Sequence, residues 1–177
     1  TRALTGADRL ADRSPAWSPN GALIAFASGR SGWYELHLVS PDGSGGRQLT
    51  SALADIGGHD WHPDGSRLAA IRCRRNRFDL VTVDAASGEV AVVAEGGAWG
   101  TPHWTHDGAI LATYEDAATP AQIRLVREGE TPFALHAPAP RAVRAAPHVR
   151  PEDVTFSSFD GVEIPAFLFR PAGSSAE

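Results

Sequence analysis

Methionine is missing from all 177 residues, cysteine occurs once, and no apolar run approaches the length needed to span a bilayer. The lone Cys73 excludes an internal disulfide framework and leaves the compartment open, with the cytoplasm slightly favoured. No secretory signal is visible. Arginine and lysine together number 16 against 21 acidic residues, and the resulting net charge of −5 argues against a nucleic-acid partner. No cofactor and no membrane partner is expected. What the chain does have is turn-forming residues, 18 glycines and 13 prolines, in an otherwise ordinary globular composition.

Those turn residues organise Ser14–Thr50, SPAWSPNGALIAFASGRSGWYELHLVSPDGSGGRQLT, into four short strands. Trp17 runs into the turn Ser18-Pro19-Asn20-Gly21, then come Leu23–Ala27, Tyr34–Val39, the turn Pro41-Asp42-Gly43 and Gln48-Leu49-Thr50. Proline pre-sets a turn, and Asn-Gly or Asp-Gly tolerates positive φ. A sheet this small does not stand alone. Its copies follow: Trp17, Trp61 and Trp104 step by 44 and 43 residues. Gly21, Gly65 and Gly108 keep step, as do Ala25, Ala69 and Ala112, then Ile24, Leu68 and Leu111, then Leu36, Leu80 and Ile123. A period in the low forties with four strands per period marks a β-propeller blade.

The expected fold is therefore all-β: a partial propeller of three four-stranded antiparallel blades at about 14–50, 58–94 and 101–137. Second strands, nearly continuous in apolar residues, are expected to be covered on both faces, and the more mixed third strands to lie nearer the rim. Residues 1–13 read as the last strand of a preceding blade and a connector, because Thr1–Thr5 resembles Gly46–Thr50; the chain is expected to be an internal piece of a longer protein. Residues 138–151 (PAPRAVRAAPHVRP) read as a semi-extended Pro/Ala-rich linker. Residues 152–177 open something new: Val154 and Phe156 alternate with polar residues, Asp160-Gly161 marks a hairpin, and Val162–Phe169 forms its second strand.

The blade stretch resembles the repeat shared by TolB-like propellers and serine peptidases of the prolyl oligopeptidase family. PEDVTFSSFDGVEIPAFLFRP, Pro151–Pro171, resembles the start of the α/β-hydrolase domain in those peptidases. The resemblance implies a peptide-bond hydrolase, of dipeptidyl, acylaminoacyl or oligopeptidase type, working through a Ser-His-Asp triad on a G-x-S-x-G elbow. It implies short peptide substrates, a propeller that gates their access, and a hydrolase domain of the same protein as the propeller's partner; an oligomer is possible. The alternative is a non-enzymatic TolB-like scaffold for protein interaction.

No catalytic, cofactor-binding or metal-binding residue is assigned within residues 1–177. The nearest match to the elbow, Gly29-Arg30-Ser31-Gly32-Trp33, lacks the last glycine and lies in a blade loop, so the triad is expected beyond Glu177. His59 with His62, and His103 with His106, stand three apart, which on an extended segment places side chains on opposite faces, poor geometry for a metal. The cluster Arg72, Arg74, Arg75 and Arg77 reads first as a solvated loop and second as a docking patch for peptide carboxylates. Asp42, Asp64 and Asp107 are explained by their turns, and the three repeat tryptophans by blade packing. Cys73 sits among arginines that could lower its pKa, with nothing else to suggest a reactive thiol.

Overall fold

At each Asn-Gly or Asp-Gly turn the glycine takes the left-handed backbone that a two-strand reversal needs. Gly21, Gly65 and Gly108 have φ of +70°, +75° and +78°, and their N–H groups donate to the carbonyls of Ser18, His62 and Thr105. The computed structural model describes residues 11–74, 77–146 and 148–171; the reading of Thr1–Thr5 as a blade strand lies outside them. The fold is nearly all-β, built from antiparallel sheets.

Strands β1 (Asp12–Trp17), β2 (Ile24–Ser28), β3 (Glu35–Val39) and β4 (Arg47–Gln48) pair in sequence order into one sheet. A second unit follows: β5 (Asp55–Trp61), β6 (Arg67–Arg74), β7 (Arg77–Asp84) and β8 (Val90–Ala94). The third is β9 (Ala98–Trp104), β10 (Ile110–Asp116), β11 (Thr119–Val126) and β12 (Phe133–His136). A lone parallel bridge, Phe78 to Ala98, joins the second unit to the third.

Two cores hold the units face to face. Ala25, Leu36 and Leu38 of the first unit meet Leu68, Ala70, Val81 and Val83 of the second. On the other face of the same strands, Ala69, Ile71 and Leu80 meet Ile110, Ala112, Tyr114 and Val126 of the third. Successive side chains of β6 therefore feed opposite cores, which is why its apolar run is unbroken. The third strands of the first two units are not rim strands, whereas β11, with only Val126 buried, is more open. All five residues of β3 and five of the eight in β7 are buried, including Glu35, His37, Asp79 and Thr82. They read as mixed because those polar residues are buried with them.

The repeat slips by one in the third unit. Trp17 pairs with Ile24 and Trp61 with Leu68, yet Trp104 pairs with Ile110 and not with Leu111. The cause is the turn. Ser18 N–H reaches the carbonyl of Leu23 and His62 N–H that of Arg67, both five residues on, whereas Thr105 N–H reaches Ala109, four on. A one-residue slip exchanges the faces of a strand. Ile110 is 1% exposed and sits in the core, Leu111 is only half-buried, and Ala112 takes the place of Ala70 rather than Ala69.

The first strand of each unit carries a bulge at one repeat position. Ser14, Gly58 and Thr101 have φ of +55°, +28° and +47° where the ladders of β1, β5 and β9 shift register. A β-branched residue is strained there. Thr101→Gly is expected to stabilise the protein by about 0.5–1 kcal/mol, the relief of left-handed strain less the entropy of glycine. A urea midpoint at or below that of the parent would contradict this.

Beyond the third unit, Arg141–Ala145 forms a single helical turn, α1, in the segment read as extended. Proline is compatible with a helix start, and here Pro140 caps a stretch of alanine and arginine with good helix propensity. Strands β13 (Glu152–Ser157) and β14 (Glu163–Leu168) then pair residue for residue into a separate two-stranded sheet. Its turn is closed by Gly161, at φ +82°.

Candidate functional site

The end of the sheets opposite the Asp-Gly turns carries the main cleft. It is made where β7 and β9 begin, where β10 turns into β11, and where the β13–β14 hairpin lies alongside. Its volume is about 560 Å³, and Arg77, Phe78, Glu115, Asp116, Arg150 and Phe167 are among its walls. Charges on the two sides pair across it. Arg77 bonds Asp153 of the hairpin, and Arg150 stands 3.7 Å from Asp116. Asp116 also accepts from the Tyr114 hydroxyl at 2.8 Å and the Ala118 N–H at 2.8 Å. Burial pushes the Asp116 carboxyl up, and the hydrogen bonds from Tyr114, Ala118 and Thr119 together with the Arg150 charge outweigh it and hold the group below its usual value.

A second hollow of about 410 Å³ adjoins it and shares Phe78, Ala98 and Glu115. Trp99 and Tyr114 form its wall, with ring centres 4.7 Å apart and the Arg124 guanidinium 3.5 Å over the tyrosine. Gly97 permits this packing: at φ +67° a Cβ there would lie 2.7 Å from the Tyr114 ring.

The residues singled out in the sequence are dispersed over this framework. Arg72 is largely buried against Asp79 at 3.0 Å, while Arg74, 3.5 Å from Asp79, and Arg77, paired with Asp153, keep their side chains more than half exposed to solvent; Arg75 lies outside the described residues. His62 stacks edge-on against Trp104 at 4.6 Å, and its Nδ1 is 2.7 Å from Asp64. His103 stands 3.7 Å from Asp60. Among the described residues no group of three histidine, cysteine or acidic side chains could hold a metal ion. The Ser31 hydroxyl donates to the Trp33 carbonyl at 3.1 Å and not to a base.

Trp61 and Trp104 pack backward onto the preceding unit. Trp61 is 5% exposed and donates its indole N–H to the Ala16 carbonyl at 3.1 Å, while Trp17, with no unit before it among the described residues, is 60% exposed. The thiol of Cys73 is pushed up by burial and then by Asp55 and Asp79, not lowered by its arginine neighbours.

Titration behaviour follows from burial. Burial holds His37 and His59 below their usual 6.5, with Arg30 adding to the effect on His37 and the Ala25 backbone and Asp60 opposing it on His59. The unfolded chain therefore takes up protons before the folded one does. Stability is fully present above pH 6.5 and is lost as pH falls toward the lowered folded values. The turn carboxylates act later: Asp64, hydrogen-bonded by Ser66, and Asp107, hydrogen-bonded by Thr105 and Arg127, are held at about 2, so their contribution fades only between 3.8 and about 2. We expect the melting temperature to fall between pH 7 and 5, with a flatter profile in His37→Gln/His59→Gln. An equal slope in parent and variant would contradict it.

No family model matches the chain. Over 75 residues it is 40% identical to the Tol-Pal system protein TolB of Gluconobacter oxydans, covering 42% of this chain and 16% of that protein. Over 76 residues it is 34% identical to the uncharacterized peptidase YuxL of Bacillus subtilis, covering 42% and 10%. Among solved structures, a Mycobacterium tuberculosis puromycin-hydrolyzing peptidase superposes with a TM-score of 0.79 at 18% identity, over 99% of this chain and 29% of that one. Chains of dipeptidyl peptidase, prolyl endopeptidase and TolB share the fold as well. The chain spans less than a third of the length of the three proteins compared in detail.

Proposed function

We propose that the three units are consecutive blades of a β-propeller, and that the chain is a piece of a serine peptidase of the prolyl oligopeptidase type. In this reading residues 14–137 are propeller, 138–151 connect, and 152–177 begin the α/β-hydrolase domain. The observation that carries it is the β13–β14 hairpin. It follows the third unit after the connector that carries α1, joins no sheet of that unit, and is included in the 99% of the chain that superposes on the puromycin-hydrolyzing peptidase. A TolB-like scaffold is the second reading, favoured by the 40% identity to TolB over 75 residues.

The blades contribute access rather than chemistry. Hydrolysis needs a nucleophile, a base and an oxyanion site within hydrogen-bond reach of one another. In this chain Ser31 is bonded to a carbonyl, His62 and His103 stand beside Asp64 and Asp60, and His59 is held below its usual pKa by burial. A propeller wall beside the hydrolase domain admits extended peptides and turns away folded proteins. The protein made from its full reading frame is expected to cleave short peptides in preference to folded proteins, and residues 1–177 alone to cleave neither. A full-frame protein without peptidase activity would shift the reading to the scaffold.

A further inference from the structure

The two adjoining hollows beside the hairpin share Phe78, Ala98 and Glu115 and form one continuous surface. Phe78, at the start of β7, is left 40% exposed between them. The wall behind it is rigid. Trp99 and Tyr114 are 3% and 8% exposed, locked against each other and capped by Arg124. The absence of side chains at Gly97 and Gly100 keeps the wall close: a Cβ at Gly100 would lie 2.9 Å from the Thr113 hydroxyl. Charge on the lining is largely cancelled, since Arg77 is paired with Asp153 and Arg150 with Asp116. Glu115 lines both hollows and has no ion-pair partner among the described residues. The volumes fall in the range of small-ligand sites, which are mostly apolar with a few placed polar groups.

We propose that this surface is a peptide subsite: one uncharged side chain of aromatic size seats against Phe78 over the Trp99–Tyr114 wall, and an N–H of the same peptide donates to Glu115. The charge pattern selects that occupant. An acidic side chain would meet Glu115, and a basic one would leave water to sit at a wall whose aromatic rings already carry the Arg124 guanidinium, 3.5 Å over Tyr114 and 5.6 Å from Trp99. A rigid wall also spares the ligand the cost of ordering the protein. The inference rests on the peptide-substrate reading above, but it requires binding only and no hydrolysis.

The test is a titration of the 177-residue chain followed through its backbone amide resonances. The probes are two capped peptides, N-acetyl-Ala-Phe-Ala-amide and N-acetyl-Ala-Ala-Ala-amide. The phenylalanine peptide should shift the amides of Phe78, Ala98, Gly100 and Ala121, and bind about tenfold tighter or more than the alanine peptide. Phe78→Ser and Ala121→Trp, which remove the platform and fill the hollow, should each erase that preference, and Glu115→Gln should weaken both peptides alike. Val92→Ser, at an exposed site on β8, should change nothing. Equal affinity for the two peptides, no shifts at these amides, or an undiminished preference in Phe78→Ser would overturn the proposal. Binding here by a protein whose full frame hydrolyses no peptide would refute the peptidase reading and leave the subsite standing.

Discussion

Gly88→Ala lowers the stability of the protein by about 3 kcal/mol or more, whereas Gly129→Ala, at the matching turn of the third unit, costs only about 1 kcal/mol. Both glycines have φ of +77°, so both substitutions pay the same left-handed strain. They differ in what a Cβ would meet. At Gly129 nothing lies within 4 Å, while at Gly88 the new carbon would sit 1.9 Å from the Leu49 carbonyl oxygen and 3.0 Å from its carbon. The turn 84–89 is pressed onto the end of the first unit, where Arg47 also donates to the Ala85 carbonyl at 2.7 Å. Backbone on backbone cannot yield as a side chain can. Urea denaturation of the two variants measures the difference; similar losses in both would show that the first and second units are not docked this closely.

The second large effect is expected at Glu35. Its side chain lies in β3 at 1% exposure and accepts from the Thr50 hydroxyl and from the N–H groups of Ala52, at 2.8 Å, and Leu53, at 3.1 Å. Thr50 in turn accepts from the Leu36 N–H at 3.0 Å. One carboxylate therefore shapes the connection from the first unit to the second, including Leu53 at φ +50°. Glu35→Ala leaves the buried Thr50 hydroxyl and the part-buried N–H groups of Ala52 and Leu53 without their acceptor, and is expected to cost about 2–3 kcal/mol. Thr50→Val, which removes one donor and spares the two backbone bonds, should cost about 1–2 kcal/mol. A loss below 1 kcal/mol in Glu35→Ala would mean that the loop holds its shape without the carboxylate.

Neither effect could be read from the chain itself. Gly88 looks like any turn glycine, because the Leu49 carbonyl that crowds it comes from another unit. Glu35 and Asp79 look like rim residues, because a strand's polar members are assigned to solvent until a partner is seen, here Thr50 for one and Arg72 for the other. The period itself was plain, since Trp17, Trp61 and Trp104 each precede a glycine turn by the same interval. The slip at Ile110 was hidden by the same regularity: the turn glycine stays in step while the closing bond shortens by one residue, so Ala112 matches Ala25 in sequence and not in face. The helix α1 was missed because three prolines in residues 138–147 outweighed the six residues between Pro140 and Pro147. The cleft was legible only in pieces. Phe78, Glu115 and Arg150 lie far apart in the chain, and no local motif connects them.

The reading as a propeller piece of a serine peptidase is tested most directly by labelling the protein made from its full reading frame with a fluorophosphonate probe and locating the modified residue. The account predicts modification of one serine, outside residues 1–177 and within a G-x-S-x-G sequence, with Ser31 unmodified. A labelled serine among residues 1–177, or no labelled serine in an active, folded protein, would contradict it.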